Sequence, residues 1–160
     1  MKIFFFLLLF LLPFCSKSQQ KFDKADFYNV MDTGKTATVK KEADLIRSSD
    51  IKNKIGYEGA LTMKMADLAK RPKKKLDLFI AGRKLLETAL ISDYQNAEFH
   101  FLRLTVEEHA PKMLKYHGDI ERDKTIIQKS FKGLSPAVQH AILDYCKQSQ
   151  VLHVADLQVQ

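Results

Sequence analysis

Arg83 and Glu87 stand four residues apart, and His100, Arg103 and Glu107 follow one another at offsets of three and seven. On helices, each set falls on a single face. Arg83 and Glu87 lie inside an apolar stripe, so they read as a partly buried pair facing a neighbour. Such a pair adds little net stability but resists the loss of either partner. If the two helices face each other, Arg83, Glu87, His100, Arg103 and Glu107 line one polar pocket. If they do not, the five are surface ion pairs of small energetic weight.

The run Lys70-Arg71-Pro72-Lys73-Lys74-Lys75 is the sharpest charge feature. Lys70 and Arg71 at the end of one helix complement its dipole, but Lys73, Lys74 and Lys75 at the start of the next oppose it. Local electrostatics therefore does not explain the whole run. An anionic partner does, whether phospholipid, lipopolysaccharide or an acidic protein; the alternative is a solvated basic loop.

Other chemistry finds little material. His109 and His117 lack the i, i+4 spacing of a zinc helix, and no Glu-x-x-His pair of the di-iron kind occurs. Gly34-Lys35-Thr36 matches the end of a phosphate-binding loop, but Asn29 stands where that loop needs its first glycine. There is no Gly-x-Ser-x-Gly elbow, and Cys146, on the border of an apolar stripe, reads as a small core residue. The expectation is a chain without catalytic residues, metal or cofactor.

The elements that must position these residues are helical. Of 160 residues, 46% are apolar, which suits one globular domain and excludes a chain disordered throughout. Two cysteines are too few for a disulfide scaffold. Met1-Lys2, an apolar run over 3–12 and the polar exit Ser16-Lys17-Ser18 have the layout of a secretory signal peptide, with cleavage before Gln19. The run is shorter than the roughly 20 residues needed to cross a bilayer, so no transmembrane anchor is expected after cleavage. Phe14 is too large to precede a lipidated Cys15. Removing residues 1–18 takes away Lys2 and Lys17 and leaves the net charge, +7 for the whole chain, still positive. An export leader also argues against a nucleic-acid partner.

Residues 19–35 read as a flexible arm ending in the turn Asp32-Thr33-Gly34. Helical periodicity then covers roughly 36–48, 51–70, 73–92, 96–110, 119–132 and a sixth helix opened by Ser135-Pro136. Ser49-Asp50 reads as the cap of the second helix, with Ile51, Ile55, Leu61, Met65 and Leu68 as its core stripe. On the third, Leu76, Phe79, Ile80, Leu86 and Leu90 share one side and Leu78, Leu85 and Ala89 the other. On the fourth, Ala97, Phe101 and Leu104 oppose Phe99, Leu102 and Val106. Gly133 is placed to supply a left-handed stop. Residues 151–160 alternate weakly and read as a tail.

The stretch Ala89-Leu90-Ile91-Ser92-Asp93-Tyr94-Gln95-Asn96-Ala97-Glu98 resembles the junction between tetratricopeptide repeats, with Tyr94 in place of the usual proline. Gly82 and Leu86 fall where that repeat has a small and a large residue. The resemblance covers 82–101; one repeat upstream the expected positions hold Ala66, Ala69 and Lys70. The whole chain also resembles small secreted helical proteins of Bacteroidetes-type bacteria, a likeness that brings no activity with it. The resemblance implies stacked helical hairpins. The expected fold is all-α, about six helices as stacked antiparallel hairpins or an irregular bundle over 36–150. The expected role is an exported, periplasmic or extracellular, non-enzymatic interaction module for a protein or envelope component. The alternative is a small-ligand or lipid binder with Phe99, Phe101, Met63 and Met65 lining its pocket.

Overall fold

The computed structural model describes residues 21–157. The leader, Cys15 and the expected cleavage point lie outside these residues. The fold is all-α: among the described residues there are seven α-helices and no strand. They are α1 Lys24–Thr33, α2 Thr36–Ser48, α3 Lys54–Leu68, α4 Pro72–Ser92, α5 Ala97–His109, α6 Ile120–Ser130 and α7 Pro136–Cys146. Short 3₁₀ turns occupy Lys112–Leu114, Phe131–Gly133 and Val154–Leu157.

The helix beyond the expected six is α1, in the stretch read as a flexible arm. Asp23 caps it by accepting hydrogen bonds from the amides of Ala25 (2.8 Å) and Asp26 (3.0 Å). Phe27 is fully buried, and its ring packs edge-on against Tyr28 and Tyr57. An arm that buries a phenylalanine is part of the core, and only its short, polar-rich pattern hid that. The expected tail is corrected in the same way. Leu152 and Leu157 are buried, and the amides of Val151 and Leu152 donate to Ser149 Oγ.

Helices α3 and α4 are the closest pair. Asn53 before α3 reaches Asp93 after α4, Gly59 meets Gly82 midway, and Asp67 late in α3 meets Lys75 early in α4. The two therefore run antiparallel. Their contact is backbone on backbone at the glycines, which moves the buried face of α3 to Tyr57, Ala60, Leu61, Met63 and Ala66. The expected stripe is mostly displaced: Ile51, Ile55, Met65 and Leu68 are only partly buried. Asn53, not Ser49-Asp50, precedes α3, in a left-handed conformation with φ 60°. Gly133 lacks the positive φ of a left-handed stop, and the chain leaves α6 through the 3₁₀ turn instead.

Helix α5 is the central element, as its two-sided pattern requires. Phe99, Leu102 and Val106 pack into one core with α1 to α4. Phe101 and Leu104 pack into a second with Ile127 of α6, Val138, Ile142, Tyr145 and Cys146 of α7, and Leu152. Phe99 and Phe101 thus serve different cores. Cys146 is a buried free thiol of the second one, pushed up to about 11 by burial and then by the Asp156 carboxylate.

Candidate functional site

The α5 register is set by Asn96, whose side chain accepts from the Phe99 amide at 3.2 Å. That places His100, Arg103 and Glu107 toward α6, whose residues run antiparallel to them. All three are buried, and so is Asp123 of α6. Arg103 donates from Nε to Asp123 Oδ2 (2.8 Å), from Nη2 to Asp123 Oδ1 (2.5 Å) and from Nη1 to Glu87 Oε2 on α4 (2.9 Å). Asp119 lies 3.2 Å from Nη1 and is also paired with Arg122. The Tyr116 hydroxyl donates to Glu87 Oε1 at 2.6 Å. One guanidinium thus ties α4, α5 and α6 together.

His100 closes the other side. Its Nε2 lies 2.7 Å from the Tyr94 carbonyl and its Nδ1 2.6 Å from Asp123 Oδ1. A carbonyl only accepts, so Nε2 is the donor to Tyr94; Nδ1 faces the Asp123 carboxylate and lies 3.4 Å from Arg103 Nη2. Every polar atom of His100 and Asp123 is thereby engaged.

Glu107 is the exception. Its Oε2 accepts from the Asp119 amide at 3.2 Å, while Oε1 is buried with no hydrogen-bond partner. Burial, then the Asp123 and Asp119 carboxylates, push its pKa up to about 7 against the pull of Arg103. A carboxyl whose folded pKa exceeds its unfolded value of 4.5 holds the fold best when protonated. That contribution is full below pH 4.5 and is lost as pH rises through about 7. Glu107→Gln keeps the acceptor and removes the titration. Relative to this variant, the wild type should lose on the order of 2–3 kcal/mol in urea unfolding between pH 5 and pH 8.5. Equal pH slopes for the two proteins would refute the assignment.

The structure gathers Glu87, His100, Arg103 and Glu107 of the expected polar cluster around Asp123 and Asp119. Sequence reasoning missed these two acids and Tyr116. Asp123 sits three residues after Ile120 and four before Ile127, so a carboxylate within the apolar stripe of α6 was the available signal. The expected Arg83–Glu87 pair is corrected. Glu87 is held by Arg103 and Tyr116, and Arg83, exposed, lies over the Tyr116 ring at 4.5 Å.

Two further carboxylates, Glu98 buried and Glu108 half-buried, also fasten the helices. Glu98 accepts from Lys24 Nζ (2.5 Å) and Tyr28 (3.1 Å), docking α1 on α5. Burial, with the Glu98 charge second, pushes both the Tyr28 and Tyr57 phenols up. Glu108 accepts from Tyr145 (2.5 Å), Ser149 Oγ (2.7 Å) and the Gln150 amide (2.6 Å). Its burial opposes ionisation, but these donors hold its pKa below the usual range.

Beside the ion-pair cluster an open groove of about 490 Å³ runs between α4 and the 112–114 turn. Leu76, Phe79, Ile80, Met113 and Leu114 form its floor and walls, and Arg83, Lys84 and Glu87 line its edge. Leu76 and Ile80, expected in the core, are 45% and 57% exposed; Met113 is 85% exposed. The correction has a simple cause. The glycine contact rotates α4 so that Gly82, Leu86 and Ala89 face α3, which turns the residues near 76, 80 and 83 outward. The basic run is dispersed around the start of α4. Lys70, Arg71, Lys73, Lys74 and Lys75 are all exposed. Lys75 reaches Asp67 at 3.9 Å, and Lys73, three and seven residues before Leu76 and Ile80, shares their face.

Among the described residues no group of three His, Cys, Asp or Glu is placed to hold a metal ion. No family model, curated protein or solved structure matches the chain.

Proposed function

We propose that the chain is an exported, non-enzymatic helical interaction module that docks an envelope component on the α4 groove. The observation that carries this reading is the groove itself. Apolar side chains are held outward on a helix fixed by backbone contact and a buried guanidinium, and Arg83 and Lys84 beside them form no salt bridge among the described residues. Solvent-facing leucine, isoleucine and methionine gathered in one place mark a contact surface. The buried polar cluster reads as scaffold, because its acids are engaged by Arg103 or, for Glu107, closed off from solvent. The leader motif supports export. No helix of the described residues is long and apolar enough to cross a membrane.

Changing Ile80 and Met113 to Asp tests the reading. Both side chains face solvent, so the melting temperature should stay within a degree or two of wild type. The variant should nonetheless leave the envelope fraction in which the wild type is retained. Equal retention of both, or none of either, would overturn the proposal.

A further inference from the structure

The outward face of α4 and the 112–114 turn carries a more specific inference, which rests on the module reading above. Three apolar side chains project from it, and Met113 projects furthest. Met113 sits at the tip of a one-turn 3₁₀ helix between Lys112 and Lys115, and Lys115 adopts a left-handed conformation (φ 47°) that closes the turn. The Phe79 and Tyr116 rings meet edge-on at 5.6 Å and hold this turn against α4. The tip and the helix face are therefore packed together as one surface.

The charge on that surface is unbalanced. Arg83, Lys84, Lys112 and Lys115, gathered on this one face, form no salt bridge among the described residues, while Lys75 at the start of α4 reaches Asp67. Glu87 at the groove edge is already consumed by Arg103 and Tyr116. Asp77 is the exposed acid of this part of α4. The surface thus combines projecting apolar tips with free lysines around them.

We propose that this face seats on an anionic lipid bilayer: Leu76, Ile80 and Met113 enter the headgroup–acyl boundary, while Lys84, Lys112 and Lys115 stay with the phosphates. A protein partner would need a complementary relief for a tip as protruding as Met113; a fluid interface supplies it by parting. Lysine suits the border because its apolar stem lies along the lipid while its ammonium remains in water. Clustered lysines also gain from the negative surface potential of such a membrane.

The test uses the absence of tryptophan from the chain. Met113→Trp gives a single emitter that reports this face and no other part of the protein; Leu143→Trp, on α7, is the control. Vesicles of phosphatidylglycerol with phosphatidylcholine should shift the emission of Met113→Trp to the blue and allow quenching by brominated acyl chains. Pure phosphatidylcholine should do neither, and Leu143→Trp should respond to neither. Adding Lys84→Gln, Lys112→Gln and Lys115→Gln should raise the lipid needed for half the shift about tenfold or more. No shift at position 113, or the same shift on neutral vesicles, would overturn the membrane assignment. If position 113 is silent on vesicles while Ile80→Asp with Met113→Asp still releases the chain from the envelope, the occupant is a protein and the module reading survives. If release fails as well, both fall.

Discussion

Replacing Asp123 with Ala should destabilise the protein by about 3–5 kcal/mol. Asp123 is fully buried and receives two hydrogen bonds from Arg103 as well as facing His100. Without it a guanidinium 2% exposed keeps only Glu87 and Asp119, both on one terminal nitrogen. Its Nε–H group then faces a cavity, Nη2 is left with only the distant His100 Nδ1, and His100 loses its contact with the Asp123 carboxylate. The cost comes from the charge left behind more than from the attraction removed. Folded domains of this size have only about 5–15 kcal/mol of stability, so the variant should unfold at a much lower urea concentration. Asp123→Asn, which retains one acceptor, should fall between. A loss below about 1 kcal/mol for the alanine variant would mean the cluster is no stronger than a surface ion pair.

The second large effect has a diagnostic sign. In an exposed helix Gly→Ala stabilises by about 1 kcal/mol. At Gly82 it should destabilise by about 1–3 kcal/mol or more. A Cβ there would stand 2.7 Å from the Gly59 carbonyl oxygen and 2.8 Å from the Met63 amide nitrogen. Those atoms are backbone, so the helices must separate. Gly59→Ala should behave alike, because its Cβ would stand 2.6 Å from the Leu86 nitrogen. Gly133→Ala is the control: a Cβ there meets nothing within 4 Å. Urea unfolding of the three variants checks the account, and a stabilised Gly82→Ala would refute close contact between α3 and α4. Separation of the pair would also turn α4, and with it the groove.

The helical class and the central position of α5 are legible in the sequence because period alone determines them. Two apolar sides on one helix demand two cores, and Phe99 and Phe101 fill them. The shared face of His100, Arg103 and Glu107 is legible for the same reason, since spacing of three and seven survives any packing; Glu87 reaches them from α4 by a tertiary contact. What period does not contain is rotation. Leu76 and Ile80 match a core stripe as well as Leu86 and Leu90 do, and only the glycine contact between α3 and α4 decides which pair faces water. Asp123 was hidden by its own setting: a carboxylate among isoleucines gains its meaning from Arg103, 20 residues away. Helix α1 was hidden by length. Ten residues rich in Asp, Asn and Lys carry too little periodicity, and its stability comes from Phe27 and the Glu98 bonds, both tertiary.

The central claim is that the chain works through the outward face of α4 and the 112–114 turn. Photo-crosslinking in the native envelope tests it most directly, with a benzophenone amino acid at position 113 compared with one at position 143 on α7. The account predicts adducts from position 113, lipid-sized where the bilayer is the occupant, and none above background from position 143. Equal adducts from both positions, or none from position 113, would contradict it.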